Sequence, residues 1–226
     1  MNSTPAAGAP GSGGLSKHET VYRALRQRIV EGRYRQGYKL VLSALARDLE
    51  VSPVPVREAI RRLEAEGLVT FERNVGARVT TLREDAWEQL VEMLALLDGY
   101  AVRQAKPRLT PEVVAEAAAI NGALRRQLTD GINNETVMSL HRRFHHTIYA
   151  HADNTYLIEA LDQVWDRIDA SRVIVELYPA KRLVSAVDEH DEFLRLLQHP
   201  GTTADVIEQF ARWHNFQAAT HIRKAN

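Results

Sequence analysis

The sequence contains no cysteine and no long apolar run, and both absences restrict what the protein is. Without cysteine it has no disulfide and no thiolate chemistry, which fits a reducing compartment. No stretch of 18 or more apolar residues is present, so we expect no transmembrane helix and no membrane partner. The first residues lack the basic segment and apolar core of a secretory signal. Together these features predict a cytoplasmic protein.

The composition is that of an ordinary globular protein with an uneven distribution of charge. The 226 residues are 45% hydrophobic and 26% charged, which is enough for two modest domains. The net charge is zero, but residues 17–82 contain 13 Lys and Arg against 8 Asp and Glu, or +5, and residues 83–226 carry −5. A basic part joined to an acidic part suggests that the first domain faces a polyanion. The alternative is that +5 on a small domain has no special meaning.

The first 16 residues, MNSTPAAGAPGSGGLS, offer almost no apolar side chains to bury, and we expect them to be disordered. A helix is then predicted from about Lys17 to Gly32, because Val21, Leu25 and Ile29 fall on one side of it. The loop GRYRQGYKL, punctuated by two glycines, follows this helix. A separate, ordered N-terminal domain is therefore expected to begin at residue 17.

The stretch from Ser43 to Val69, SALARDLEVSPVPVREAIRRLEAEGLV, predicts two short helices joined by a tight turn. Ser52 stands where a helix N-cap is wanted, Pro53 suits the first helical position, and Gly67 ends the second helix. The outward face of this helix carries arginines that suit DNA phosphates, although for Arg61 and Arg62 a purely solvated face is the alternative. The apolar faces of the two helices consist of Leu45, Ala46 and Leu49, and of Val56, Ala59, Ile60 and Leu63.

Two short runs rich in Val, Thr and Phe, LVTFER and ARVTTL, follow the second helix. The turn between them contains Asn74 and Gly76, which is typical of a β-hairpin with a loop longer than two residues. Three helices followed by a hairpin make a winged helix–turn–helix, which we assign to residues 17–82.

Beyond residue 82 the strand signals largely disappear and helical periodicity takes over. The first predicted helix is strongly apolar and should be central, and short loops fit a bundle. The predicted fold is therefore mostly α: an N-terminal winged helix–turn–helix and a C-terminal all-α six-helix bundle over residues 83–226. The six helices are predicted at about 84–105, 110–129, 134–151, 154–178, 180–199 and 202–223.

Four of the nine histidines have a spacing that suits a metal site. His141 and His145 are four residues apart and face one side of a helix, and His190 and His214 each lie on a helix of their own. One helix giving two imidazoles and two others giving one each can form a metal cage inside a bundle. The alternative for each single histidine is an ordinary core or surface residue.

Three segments of the N-terminal part, and the helical remainder, resemble a known family. The segments GYKLVLSALARDL, LEVSPVPVREAIRRLEAEGLV and RNVGARVT resemble the winged helix of GntR-type transcriptional regulators. The helical remainder resembles the FCD domain of the FadR subfamily, in its six-helix, VanR-like branch. The resemblance covers residues 17–223. It implies a homodimeric DNA-binding repressor or activator that reads a near-palindromic double-stranded operator and senses a small molecule.

The resemblance also implies which residues meet DNA. The start of the second motif helix enters the major groove and the wing touches the minor groove, and Pro53 and Pro55 depart from the family pattern, which has Arg and a polar residue there. Val54 is then expected to touch a thymine methyl group, and Arg57 to bond guanine or phosphate. The candidate DNA-binding residues are Ser52, Val54, Arg57, Arg61, Asn74 and Gly76.

The same resemblance strengthens the case for a metal. Metal-binding FCD domains carry Asp-x-x-x-His on one helix and single histidines on two later helices, and His145, His190 and His214 fall at the histidine positions. His141 stands at the Asp position, and four neutral imidazoles favour Zn, with Ni or Cu as alternatives, over Mn. The metal charge then stays uncompensated and attracts an anion, as expected of a small carboxylate effector. The candidate ligand-binding residues are Arg142, Arg172 and Asn215.

Three functions remain open on the sequence. The first is a regulator whose metal and metabolite change its affinity for the operator. The second is a constitutive DNA-binding protein with structural histidines. The third is a metal-dependent enzyme, for which Asp188 and Glu189 beside His190 are the only obvious general bases. We expect the first, and no enzyme.

Overall fold

The computed structural model describes residues 16–73, 75–81, 84–130, 133–171 and 180–223. The predicted disordered tail lies outside these ranges except for Ser16, which caps the first helix by accepting a hydrogen bond from the Glu19 amide at 3.2 Å. The N-terminal part contains α1 (Lys17–Val30), β1 (Lys39–Leu40), α2 (Leu42–Asp48), α3 (Pro53–Ala65), β2 (Val69–Glu72) and β3 (Gly76–Val79). The C-terminal part contains α4 (Glu84–Ala105), α5 (Pro111–Asp130), α6 (Asn134–Tyr149), α7 (Thr155–Ser171), α8 (Ala180–Gln198) and α9 (Ala204–Arg223), with a 3₁₀ turn at Lys106–Arg108.

The winged helix–turn–helix is confirmed, with one strand more than predicted. Strands β2 and β3 form the expected antiparallel hairpin, and β1 pairs with the other edge of β3 to give the order β1-β3-β2. The extra strand has only two residues, too short for any alternation to be read from the sequence. Gly76 begins β3 with φ +99°, a conformation that side-chain-bearing residues rarely adopt.

Helix α3 packs through one apolar face and leaves the other in solvent. Val56, Ala59, Ile60 and Leu63 on this face are buried against α1 and α2, as their helical spacing predicts. Ser52 occupies the N-cap position, but its side chain makes no capping hydrogen bond. The hydroxyl is therefore left for another partner. The winged core contains Leu25, Ile29, Val56, Ile60, Leu63, Val69 and Val79, among others.

The predicted all-α bundle is confirmed, with six helices among the described residues, and α4 is central to it, packed against both α7 and α9. One apolar cluster lies between α4 and α7, around Trp87 and Trp165, and another lies among α5, α6, α8 and α9, around Phe144 and Phe193. Within the described ranges, no helix is long and apolar enough to cross a membrane. The bundle also buries polar residues: Asp98, Asn121, His145, His190, His214 and Asn215.

Helix α7 is the platform on which the winged part rests. The side chain of Asp166 pairs with Arg26 of α1, and Arg167 Nε donates to the carbonyl of Glu66 at 2.8 Å. Gly67, at φ +77°, lets Arg167 approach so closely that an added Cβ would lie 2.9 Å from its Nη2. We call this contact between α7 and the winged part the seam. Two clefts, of about 400 and 780 Å³, lie beside α1 along it. The contact between the two parts therefore combines these polar contacts with the packing of Ala170 on the winged core, and it is incompletely filled.

Candidate metal centre and nucleic-acid interface

The structure brings together the four histidines that the spacing singled out. Helix α6 supplies His141 and His145 from successive turns, α8 supplies His190, and α9 supplies His214. One ring nitrogen from each lies within 4.8 Å of the others. All but His141 are buried. Four imidazoles at this separation are a possible donor set for one metal ion.

The orientation of the His190 ring is fixed from outside the cluster. The Asn121 amide nitrogen donates to the Val187 carbonyl at 3.0 Å and to Asp191 Oδ1 at 2.7 Å. Its oxygen must therefore be the atom 2.9 Å from His190 Nδ1, and this oxygen only accepts. His190 consequently carries its proton on Nδ1 and turns the Nε2 lone pair towards the cluster.

His214 is held in the same tautomer by a charged partner. Its Nδ1 lies 2.6 Å from Glu189 Oε2 and donates to this carboxylate. Arg182 in turn donates to both oxygens of Glu189, at 3.0 and 2.8 Å, and to the His214 carbonyl at 3.3 Å. Nε2 of His214 therefore also presents a lone pair to the cluster.

These two lone pairs face each other at 3.2 Å, the separation of the Nε2 atoms of His190 and His214. A hydrogen bond between them would require one ring to give up its outer partner, and two bare lone pairs repel. Zinc–nitrogen bonds of about 2.0–2.1 Å in tetrahedral geometry place two nitrogens roughly 3.3 Å apart. The donor set therefore fits a transition-metal ion.

The remaining two histidines point to the same conclusion. Both ring nitrogens of His145, and Nδ1 of His141, are buried with no hydrogen-bond partner among the described residues. His145 Nδ1 is 3.4 Å from Asp98 Oδ2, which accepts from Asn215 Nδ2 at 2.8 Å. Asp98 is fully buried and its Oδ1 is also unpartnered in the described part of the chain. Unpartnered polar atoms grouped in this way are typical of a ligand site.

Burial lowers the pKa of His141, His190 and His214 well below the usual range, and neighbouring positive charge lowers each pKa further. Neutral imidazole is the form that binds a metal. Aromatic rings complete the surroundings: Phe144 stacks on His190 at 3.8 Å between centroids, and Trp165 lies 5.8 Å from His141. His141, His190 and His214 are therefore held as neutral imidazoles that can bind a metal, and the aromatic rings form an apolar wall around the site.

The predicted ligand-binding residues are only partly brought to this site. Asn215 lies beside it, through its bond to Asp98. Arg142 does not join it, because Nη1 is 2.9 Å from both Asp166 Oδ1 and Asp169 Oδ2, in the seam to the winged part. Burial, opposed by Arg142, raises the pKa of Asp169 to about 6. The prediction for Arg172 lies outside the described residues.

Sequence reasoning missed Arg182 altogether and gave Glu189 only a possible enzymatic role. Arg182 is 2% exposed, which is rare for an arginine, and the contact to Glu189 explains it. The signal was present: the two opposite charges are seven residues apart, and so lie on one face of α8.

The candidate DNA-binding residues of α3 lie on its solvent side. Ser52, Val54, Arg57 and Arg61 are all exposed, Val54 by 56%. Arg57 makes no ion pair with any described residue, and Arg61 is 3.6 Å from Glu58. The prediction for Asn74 lies outside the described residues. Exposed cations of the winged part that also form no ion pair within the described ranges are Lys17, Arg35, Lys39, Arg47 and Arg73.

Arg62 is different from its neighbour Arg61. Its Nη1 lies 2.9 Å from Glu19 Oε2, and its guanidinium lies 3.6 Å from the centre of the Tyr22 ring. These contacts tie α3 to α1, so Arg62 is a structural residue rather than an unattached cation.

Comparison with known proteins gives consistent matches along the chain. Residues 17–79 match the family described as "Bacterial regulatory proteins, gntR family", and residues 89–200 match the FCD domain. The chain is 26% identical over 190 residues to the HTH-type transcriptional repressor GlaR of Escherichia coli (strain K12), covering 82% of this chain and 83% of that protein. It is 31% identical over 142 residues to the Nta operon transcriptional regulator of Aminobacter aminovorans, covering 62% and 66%.

Solved structures share the fold. The structure of E. coli McbR/YncC superposes with a TM-score of 0.79 at 21% identity, over 93% of this chain and 98% of that one. A GntR regulator structure from Rhodococcus sp. RHA1 superposes with a TM-score of 0.75 at 22% identity, over 94% and 100%. At these identities the likeness supports the architecture, and the function must be argued from the residues.

Proposed function

The chain belongs to the GntR family of bacterial regulatory proteins, with an FCD domain behind its winged helix, and we propose that this domain binds a divalent metal ion and a small anionic metabolite that together set the affinity for operator DNA. Members of this family are DNA-binding transcriptional regulators, and the protein is a regulator rather than an enzyme. The observation that carries the metal proposal is the pair of Nε2 atoms 3.2 Å apart, each on a ring whose other nitrogen is already committed.

The proposed metal ligands are the four histidines, and imidazole donors favour zinc, with nickel or copper as alternatives. When bound, the ion supplies a positive charge that attracts an oxygen anion. Neutral ligands leave this charge in place, and the buried Asp98 offsets only part of it. Glu189 adds no net charge, because Arg182 neutralises it. The surplus positive charge supports a carboxylate as the effector.

The proposed DNA contacts come from the exposed tip of the winged part. Among the described residues, the hydroxyl of Ser52 and the guanidinium of Arg57 have no partner that would compete with DNA, and Val54 offers an apolar contact. The arginine and lysine side chains around them supply the phosphate attraction. Two such tips in a cytoplasmic homodimer would read the two halves of a near-palindromic operator.

The two functions are joined through α7. Trp165 of this helix lies against His141 and His145, while the next two residues, Asp166 and Arg167, hold the winged part. A shift of α7 at the histidine cluster therefore displaces the winged part as well, and the clefts beside α1 leave room for that movement. We expect the metal or the effector to change DNA affinity by this route.

The metal proposal is tested by replacing His145 with glutamine. Neither ring nitrogen of His145 has a hydrogen-bond partner in the described structure, so His145→Gln removes a ligand and breaks no bond. Native mass spectrometry should find one metal per wild-type chain. Zinc at 100 times its Kd should stabilise the metal-stripped wild type by about 2.7 kcal/mol, and His145→Gln by far less.

The matched control is His146→Gln, a change at the next residue, which is exposed on the same helix. It should bind metal as the wild type does. A wild-type protein without metal, whose melting temperature zinc leaves unchanged, would instead support constitutive DNA binding with structural histidines.

The regulatory proposal is tested by measuring affinity for promoter DNA at several salt concentrations. Affinity should fall steeply with salt, and should change when zinc is removed or when a dicarboxylate or a sugar acid is added. Sedimentation should give a dimer at micromolar concentration. Failure to bind promoter DNA at low salt in every ligand state would sink the proposal, and a monomer would contradict the palindromic operator.

A further inference from the structure

Two of the four histidines are held from outside by partners of different charge. The partner of His190 is the neutral amide of Asn121, at 2.9 Å, and the partner of His214 is the carboxylate of Glu189, at 2.6 Å. Both partners accept the Nδ1 proton, so both rings present Nε2 to the cluster. A carboxylate acceptor leaves more electron density on an imidazole than an amide oxygen does, and so makes it a stronger metal ligand.

The carboxylate is itself held on both sides. Arg182 donates to Oε1 and Oε2 of Glu189 in a two-pronged contact, and adds a bond to the main chain of His214. The arginine is 2% exposed and the side chain of Glu189 is 16% exposed. Removing the carboxylate would leave the buried charge of Arg182 without its counter-ion, and removing the arginine would take away both of its hydrogen bonds to Glu189. Arg182 therefore fixes the orientation of the Glu189 carboxylate towards His214.

We propose that Arg182 and Glu189 are positioning residues of the metal site. Glu189 sets the tautomer and the donor strength of His214, and Arg182 fixes Glu189. Neither residue touches the metal. The inference rests on the proposed metal function, and it makes His214 a stronger ligand than His190, although both are buried histidines on neighbouring helices.

The test uses Glu189→Gln, which keeps the size of the side chain and removes the charge, and Arg182→Lys, which keeps a charge and loses the two-pronged contact. The control is Arg195→Gln, because Arg195 pairs with Glu192 on the exposed side of α8 and with no residue that orients a histidine of the cluster. Zinc affinity is measured by competition with a chromophoric chelator. Both test variants should bind zinc roughly 10- to 100-fold more weakly, and the control should bind as the wild type does.

A purely structural role would change stability without changing the tautomer. The second readout is therefore the ¹⁵N chemical shift of the His214 ring in metal-stripped protein. The wild type and Arg195→Gln should show the proton on Nδ1, and Glu189→Gln should show a mixture of tautomers. Cobalt(II) absorption spectra report in parallel whether the ligand set has changed.

The outcomes separate this inference from the proposal that it deepens. Wild-type protein that binds none of zinc, nickel and copper overturns both. Wild-type protein that binds zinc while Glu189→Gln binds it equally well, with the same His214 tautomer, overturns only the positioning role. Should Arg182→Lys fail to fold, the near-isosteric Glu189→Gln decides the question alone.

Discussion

The winged helix and the helical bundle place their polar groups in opposite ways. On the winged part, the candidate DNA contacts Ser52, Arg57 and Arg61 are exposed and contribute little to its core. In the bundle, the histidines and their partners are themselves part of the core, packed against Phe144 and Trp165. A substitution among the exposed residues of the winged part need not disturb folding, whereas a substitution in the histidine cluster alters the stability of the bundle as well.

The largest effect that separates the two regions is expected at His190. His190→Ala should lower the unfolding free energy of metal-stripped protein by about 3 kcal/mol, because it opens a cavity beside Phe144 and leaves the Asn121 oxygen unpaired. Urea denaturation with a chelator present measures this. The exposed His146→Ala should stay within about 0.5 kcal/mol of wild type. A similarly small effect at His190 would contradict the view that the cluster belongs to the core.

At the exposed end of the winged part we expect the opposite result, a loss of DNA affinity without a loss of stability. Arg57→Ala should weaken operator binding by about 1–3 kcal/mol and leave the unfolding free energy within about 0.5 kcal/mol, since Arg57 makes no ion pair with any described residue. Fluorescence anisotropy at fixed salt measures the affinity. Arg61→Ala should weaken binding less, because Arg61 already lies near Glu58. Equal affinity of Arg57→Ala and wild type would remove Arg57 from the DNA interface.

The seam between the regions offers a third comparison. Arg26→Gln removes the charge that pairs α1 with Asp166, and should reduce by about 1 kcal/mol the change in operator affinity that metal or effector produces. Metal affinity itself should stay the same. The control is Arg103→Gln, which breaks ion pairs with Asp205 and Glu208 on the surface of the bundle, away from the seam. An unaltered response in Arg26→Gln would mean that coupling passes elsewhere.

The smallest expected effect is a pH dependence at the same seam. The pKa of Asp169 is raised by burial from 3.8 to about 6, so the stability that this carboxyl contributes is fully present below about pH 3.8 and is lost as the pH rises from there through about 6. Relative to Asp169→Asn, the unfolding free energy of the wild type should fall by about 1 kcal/mol between pH 5 and pH 7. A constant difference between the two proteins over this range would contradict the raised pKa.

Much of the fold could be predicted because periodicity and caps are local signals. The apolar stripe of α3, the Pro at its start and the Gly after it lie within fifteen residues of one another. The histidine cluster could be predicted as well, since His141 and His145 share a helix face and the family pattern added the other two. Strand β1 could not, because two residues carry no period.

The sequence alone could not predict which arginine, Arg142 or Arg182, supports the histidine cluster. Both are arginines close in sequence to a histidine of the cluster or to its partner, and the sequence favoured Arg142 as the ligand contact. Which of them turns towards the cluster depends on the rotation of α6 and α8 in the assembled bundle, and on the acidic residues that each one meets there. Tertiary packing, and not local pattern, decides this.

Gly67 gives the seam a further significance. A side chain there would strain the backbone, which has φ +77°, and would displace the guanidinium of Arg167, whose hydrogen bond to the Glu66 carbonyl ties the winged part to α7. In a dimer, the angle at which each winged part leaves the bundle sets how far apart the two tips stand. In the proposed dimer, a methyl group added at Gly67 would therefore alter the number of base pairs between the half-sites that the protein can bridge.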